Sequence, residues 1–166
     1  MRDAIGIDLH EVAGGTVSGE IPVAASAINR IIAEQLAARE TPVVSATLEP
    51  HDDNRIIAHI RLRARFVPPL KIDAHIEQQP EFPVRPVLGV RWAVPSLGAL
   101  AMFAGPALSL FDKSLPRGIR VQGETLGVDI PELMRSRGLD DLIPYLTGLR
   151  LTTREGRFVV QFTLRS

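Results

Sequence analysis

Between Arg55 and Phe66 polar and apolar positions alternate. Ile56, Ala58, Ile60, Leu62, Ala64 and Phe66 point one way; Arg55, His59, Arg61, Arg63 and Arg65 point the other. Successive side chains of a strand project to opposite faces, so this period predicts a half-buried strand. Beyond Val67-Pro68-Pro69 the period returns, with Leu70, Ile72, Ala74 and Ile76 on the apolar face and Lys71, Asp73, His75 and Glu77 on the polar one. An antiparallel pair centred on Val67 sets Arg61 opposite Asp73 and His59 opposite His75. Val84 to Val94 alternates again, with Leu88, Val90 and Trp92 on one side and Arg85 and Arg91 on the other. Pro86 suits an edge or a bulge there.

A different period governs Ala24 to Ala38. Ala24, Ile28, Ile31, Ile32 and Leu36 fall on one stripe at helical spacing, with Ser26, Arg30 and Glu34 on another face, which predicts an amphipathic helix. Upstream, Ile5 to Val12 reads as a strand stopped by Gly14-Gly15, and Val17 to Val23 as an extended piece feeding the helix. Pro22 is placed near the first helical turn, where its missing N–H costs least. Downstream, "IRVQGETLGVDI" reads as a hairpin turning at Gly123-Glu124. Pro131 to Arg137 and Asp140 to Leu146 read as short helices. A last hairpin joins Leu149–Thr153 to Arg157–Leu164 through Arg154-Glu155-Gly156, with Phe158, Val160, Phe162 and Leu164 facing in.

These elements make an α+β chain: a curved antiparallel sheet wrapped around an amphipathic helix, with an additional apolar helical segment. At 166 residues, without repeat or linker, residues 1–166 read as a single domain. The composition adds constraints. Aromatic residues are only 5%, so Ile, Val, Leu and Ala must fill the core. Nineteen basic side chains balance nineteen acidic ones, which removes any global pull towards nucleic acid or anionic membrane. The absence of cysteine excludes disulfides, thiol nucleophiles and thiolate metal sites. Charges at Asp3 and Asp8 stand where a signal peptide needs an apolar run, so the chain as given reads as cytoplasmic. A periplasmic or membrane-anchored location follows instead if a leader or anchor lies outside it.

The stretch Trp92 to Phe111 carries no charge and reaches the length of a bilayer span. Pro95 and Pro106 would break hydrogen bonding within such a span, and Ser96, Gly98, Gly105 and Ser109 dilute its hydrophobicity. It reads instead as a strand end followed by a helix from about Ser96, apolar nearly all round and therefore buried on more than one side. Three burials are open: the chain's own core, a second subunit, or a lipid-like ligand.

An early helix followed by long alternating strands resembles the tubular lipid-binding (TULIP) superfamily and its small bacterial relatives, in which a bent sheet wraps a long helix. The segments that carry the likeness are "GEIPVAASAINRIIAEQL", an extended lead-in to a helix with an Asn between apolar positions, and "SLPRGIRVQGETLGVDIPELM", a strand–turn–strand–helix cassette. The resemblance runs diffusely from about Thr16 to Leu164. It implies binding of an acyl chain or similar apolar molecule between helix and sheet, and it brings no catalytic residues.

The chemical motifs sought are missing. There is no GxSxG elbow, no GxxxxGK[ST] loop, no GxGxxG and no HExxH. His59 and His75 across the expected hairpin would need Asp73 or Glu77 to complete a metal site, and exposed cross-strand histidines arise easily by chance, so no metal is assigned. His51, Asp52 and Asp53 read as a turn between strands, and Asp140-Asp141 as a helix start. Arg61, Arg63 and Arg65, extended by Arg55 and Lys71, form a ladder suited to head-group or nucleic-acid phosphates, or a solvated face paired with Asp73 and Glu77. The aromatic interleaving used to stack on bases is missing, so nucleic acid is not assigned.

The expectation is a non-enzymatic domain, without cofactor, that binds a lipid or other long apolar ligand in a tunnel between helix and sheet. Ile28, Ile31, Ile32, Ile60, Leu62, Phe66, Ile72, Trp92, Leu100, Met102 and Phe103 are placed near that tunnel, with Arg61, Arg63 and Arg65 as head-group or anion contacts and peripheral membrane contact open. The alternative is a homo-oligomeric interaction or scaffold module, a homodimer packed through 95–111 with no small ligand.

Overall fold

In the computed structural model, residues 14–38, 40–63, 68–93 and 117–165 are described. They form two antiparallel sheets over one core. β1 (Thr16–Ala24), β9 (Arg157–Arg165) and β8 (Leu146–Arg154) make a three-stranded sheet in the order β1-β9-β8. β2 (Val43–Pro50), β3 (Arg55–Leu62), β4 (Leu70–Gln78), β5 (Val87–Ala93), β7 (Thr125–Asp129) and β6 (Ile119–Gln122) make a six-stranded sheet in the order β2-β3-β4-β5-β7-β6. The larger sheet curls as a half-barrel, so the α+β class and the curved antiparallel sheet hold. Helix α1 (Ala25–Ala37) follows β1 directly; α2 (Ile130–Ser136) and a 3-10 turn (Asp140–Tyr145) lie between β7 and β8.

The inner faces of both sheets meet in one cluster. Ile56, Ala74, Ile76 and Leu88 come from the larger sheet, Leu146 and Phe158 from the smaller, and Ile130 from the start of α2. Ile28 of α1, Leu48, Val90, Trp92, Phe162 and Leu164 pack against it at partial burial. The alternation read from the sequence thus sets the inner face of β3, β4, β5 and β9.

Register is where the expectation fails. β3 and β4 pair as Arg55↔His75, Ile57↔Asp73 and His59↔Lys71, so Arg61 is not opposite Asp73 and His59 is not opposite His75. Each β3 residue meets a β4 residue four positions earlier than a pair centred on Val67 requires. A slip of four keeps every side chain on its face, so the apolar pattern cannot tell the two registers apart. The observed one brings Asp73 within reach of Arg55: the Arg55 Nε donates at 3.0 and 3.1 Å to the two Asp73 oxygens, and its Nη2 donates at 2.6 Å. Pro22 also differs: it lies inside edge strand β1, opposite Val159, where no donor is needed, and the helix starts after Ala24. Ile5 to Val12 lies outside the described residues.

The two sheets are joined by side chains that satisfy the free edge of β8. Gln79 donates from Nε2 to the Leu151 carbonyl at 2.7 Å, and the Leu151 N–H donates to Gln79 Oε1 at 2.9 Å. One turn away, the Thr153 N–H donates to Asn54 Oδ1 at 3.3 Å, and the buried Thr153 hydroxyl donates to the His51 carbonyl. Asp53 and Asn54 hold positive φ in the turn that makes this possible, at 60° and 61°. A strand edge left unpaired invites association with another chain; here a carboxamide takes the place of the missing strand.

Candidate functional site

The same device acts on β2, an edge strand of the larger sheet that faces α1. Asn29, in the middle of α1, donates from Nδ2 to the Leu48 carbonyl at 3.0 Å and accepts from the Leu48 N–H at 2.7 Å. Leu48 therefore turns its backbone groups away from β3, and so, two residues along, does Pro50, whose carbonyl accepts from the Gly156 N–H at 3.0 Å. By the same alternation Ala46 directs its N–H and C=O outward, towards the C-terminal half of α1. A shift in register between Val43 and Ser45 then interrupts the regular ladder of the strand with β3.

The result is an open groove of about 530 Å³ between α1 and β2. Ala33, Leu36 and Ala37 line it from the helix and Val43, Val44 and Ala46 from the strand, with Glu40 and Arg63 at its margin. Small side chains make the groove: alanine at helical spacing leaves the volume that Leu or Ile would fill. No residue of α1 is fully buried, and Ile31 is 42% exposed and Val44 44% exposed. The apolar stripe of the helix is thus only partly used by the protein's own core.

On the opposite face of β2 lies a second, shallower depression of about 170 Å³, bordered by Ser45, Thr47, His59, Ile60, Arg61 and Pro69. Ser45 is registered with Arg61, and Thr47 with His59, which in turn faces Lys71. Ser45 and Thr47 border both concavities.

The charges of this sheet face are sorted. Asp73 is held by Arg55, and the hydrogen bonds from that guanidinium keep its carboxyl below the usual carboxylate range, while the Arg55 guanidinium is pushed up in turn. Glu77 lies 3.5 Å from Arg91. Glu49 lies between two histidines, its Oε2 3.2 Å from His59 Nε2 and its Oε1 3.4 Å from His51 Nε2, the latter without hydrogen-bond geometry. His51 Nδ1 is 3.2 Å from Glu155, across the junction of the two sheets. Asp73 and Glu77 are therefore paired, but with Arg55 and Arg91. Among the described residues no carboxylate forms an ion pair with Arg61, Arg63 or Lys71, and no cluster of His, Asp and Glu has metal-binding geometry.

The residues singled out by sequence fall in three places. Ile28 and Trp92 pack against the core cluster. Ile32, Ile60, Leu62 and Ile72 are half-buried, and Ile31 is exposed. Arg63 reaches the margin of the groove and Arg61 the outer depression. Phe66, Arg65, Leu100, Met102 and Phe103, with the whole of 95–111, lie outside the described residues. Ala33, Ala37, Val43, Val44 and Ala46 were not singled out; the available signal was the run of alanines along α1, which reads equally well as good helix formers. Among the described residues no helix is long and apolar enough to cross a membrane. No protein-family model, no curated protein and no solved structure matches the chain.

Proposed function

We propose that this domain binds a lipid or another long apolar ligand without transforming it, and that the chain of the ligand lies along α1 in the groove against β2. The observation that carries the reading is the groove itself, whose volume falls in the range of small-molecule sites, about 300–1,000 Å³. Its apolar walls come from a helix whose stripe the core leaves half exposed. Each methylene buried there contributes about 0.8 kcal/mol, so affinity grows with chain length and needs no dedicated polar contact. The likeness to tubular lipid-binding proteins supports the same ligand class, although here the helix lies beside the sheet edge. Half-buried Ile60, Leu62 and Ile72 extend the apolar surface on the inner face of the sheet.

Filling the groove tests the proposal. Ala37→Trp places an indole in the space an acyl chain would take, on an exposed position where the fold can carry it. Displacement of a fluorescent fatty-acid probe by unlabelled C10 to C18 chains is expected to weaken at least tenfold in this variant. Ile21→Trp, an equally exposed position on β1, leaves it unchanged. Equal binding by both variants overturns the groove as the binding place. The rival reading, a scaffold that dimerises through 95–111, predicts no probe binding and a mass that rises with concentration.

A further inference from the structure

Two concavities share one strand edge. The groove against α1 is walled by alanine, leucine and valine, with Asn29, Glu40 and Arg63 and the shared Ser45 and Thr47 beside them. The outer depression is bordered by Ser45, Thr47, His59 and Arg61 together with Ile60 and Pro69. Cross-strand partners share a face, so the pairs Ser45↔Arg61 and Thr47↔His59↔Lys71 set hydroxyl, guanidinium and ammonium groups around one patch. Ser45 and Thr47 stand about 7 Å apart along the strand, so that one tetrahedral anion can touch both.

Charge pairing explains why this patch, and not the rest of the face, is ready for an anion. Further along the sheet Asp73 pairs with Arg55 and Glu77 with Arg91, while Glu49, two residues from Thr47 on the same face, is held by His59 at the border of the patch and by His51. At this end Arg61 and Lys71 have no carboxylate in ion-pair contact among the described residues, and both are exposed. Lys71 exerts only the weakest of the pulls on Asp73. Guanidinium with neighbouring hydroxyl donors is the donor set that phosphate oxygens favour, because the planar fork offers two parallel N–H groups and the hydroxyls take the remaining oxygens.

We infer that the outer-face patch of Ser45, Thr47, Arg61 and Lys71 binds a phosphate group, and that the ligand of the adjoining groove is a phosphate-headed amphiphile straddling the edge of β2. The inference rests on the apolar groove for its second half, while the anion site stands on the patch alone. The alkyl chain then lies on the α1 side, and the head crosses Ser45–Thr47 to the outer face.

The test uses calorimetric titration of the full chain with three probes at low ionic strength: a monoalkyl phosphate of eight to ten carbons below its micelle concentration, the alcohol of the same chain, and inorganic phosphate. The alkyl phosphate is expected to bind at least about tenfold tighter than the alcohol, the ratio that one charge-assisted hydrogen bond supports. In Arg61→Gln/Lys71→Gln the two affinities should converge, whereas Arg150→Gln/Arg157→Gln, with the same change in net charge on the other sheet, keeps the difference. Equal affinities for alkyl phosphate and alcohol in the unaltered protein, with inorganic phosphate unbound, overturn the phosphate site and leave the groove standing. Binding of inorganic phosphate with neither amphiphile bound more tightly keeps the anion site, assigns it to free phosphate and overturns the straddling ligand together with the groove. No binding of any probe overturns both.

Discussion

Asn29→Ala removes both hydrogen bonds between α1 and the edge of β2 at once. A hydrogen bond contributes about 1 kcal/mol net, so the pair is worth about 2 kcal/mol. Two corrections apply. Leu48 is only partly buried, and its neighbour Thr47 and its partner Asn29 line the open groove, so water can reach its N–H and C=O and the larger cost of orphaned buried groups, about 1–3 kcal/mol each, does not arise. Alanine is also the better helix former by about 0.5 kcal/mol, which offsets part of the loss. The expected net destabilisation is about 1.5 kcal/mol, read as a lower midpoint in urea denaturation with an unchanged slope. For a chain of this length it corresponds to a fall in Tm of about 3–6 °C. Amide exchange locates the effect, since the Leu48 N–H should lose its protection while the Ala58 N–H keeps it. A stability within about 0.5 kcal/mol of the parent, or an unaltered Leu48 amide, would refute the argument that a carboxamide closes this edge.

Gln79→Ala should act likewise on the other junction, costing about 2 kcal/mol and exposing the Leu151 amide, because among the described residues Gln79 is what pairs with that part of the β8 edge; unchanged exchange there would contradict it. Asp129 caps α2 by accepting from the Glu132 N–H at 2.9 Å, so Asp129→Ala should lower stability by about 1 kcal/mol in the same denaturation assay, and Asp129→Ser by less. The Asp73 carboxyl should titrate below the ordinary carboxylate range in a carbon-detected NMR titration and return to it in Arg55→Gln. A carboxyl whose folded pKa is depressed stabilises the fold above its unfolded pKa and loses that contribution as pH falls through the folded one. The parent but not Arg55→Gln should therefore lose this increment below the ordinary carboxylate range.

The elements that were legible in the sequence are those whose own side chains state their environment. Alternation in 55–62 and 70–76 marked β3 and β4 with the right faces. Gly123-Glu124 marked the turn between β6 and β7, where Gly123 has φ 60°. The stripe of Ile28, Ile32 and Leu36 marked α1. What the pattern could not fix was relation between elements. A four-residue slip leaves faces unchanged, and the pairing of β1 with β9 joins opposite ends of the chain without any local trace. The groove was hidden for the same reason. Asn29, which ties α1 to β2 beside it, is visible as a polar residue between apolar helical positions, but its partner is the backbone of Leu48, and backbone groups carry no sequence. The arginine ladder was visible, yet which arginines keep their charge unpaired depends on the register.

The measurement that bears most directly on the account is gentle native mass spectrometry of the purified chain, followed by extraction and by re-addition of long-chain compounds. A single long-chain molecule per protein, carried through purification or taken up on addition and lost in Ala37→Trp, is the result expected. A chain that stays at its sequence mass and takes up no compound of any chain length would contradict the binding of an apolar ligand.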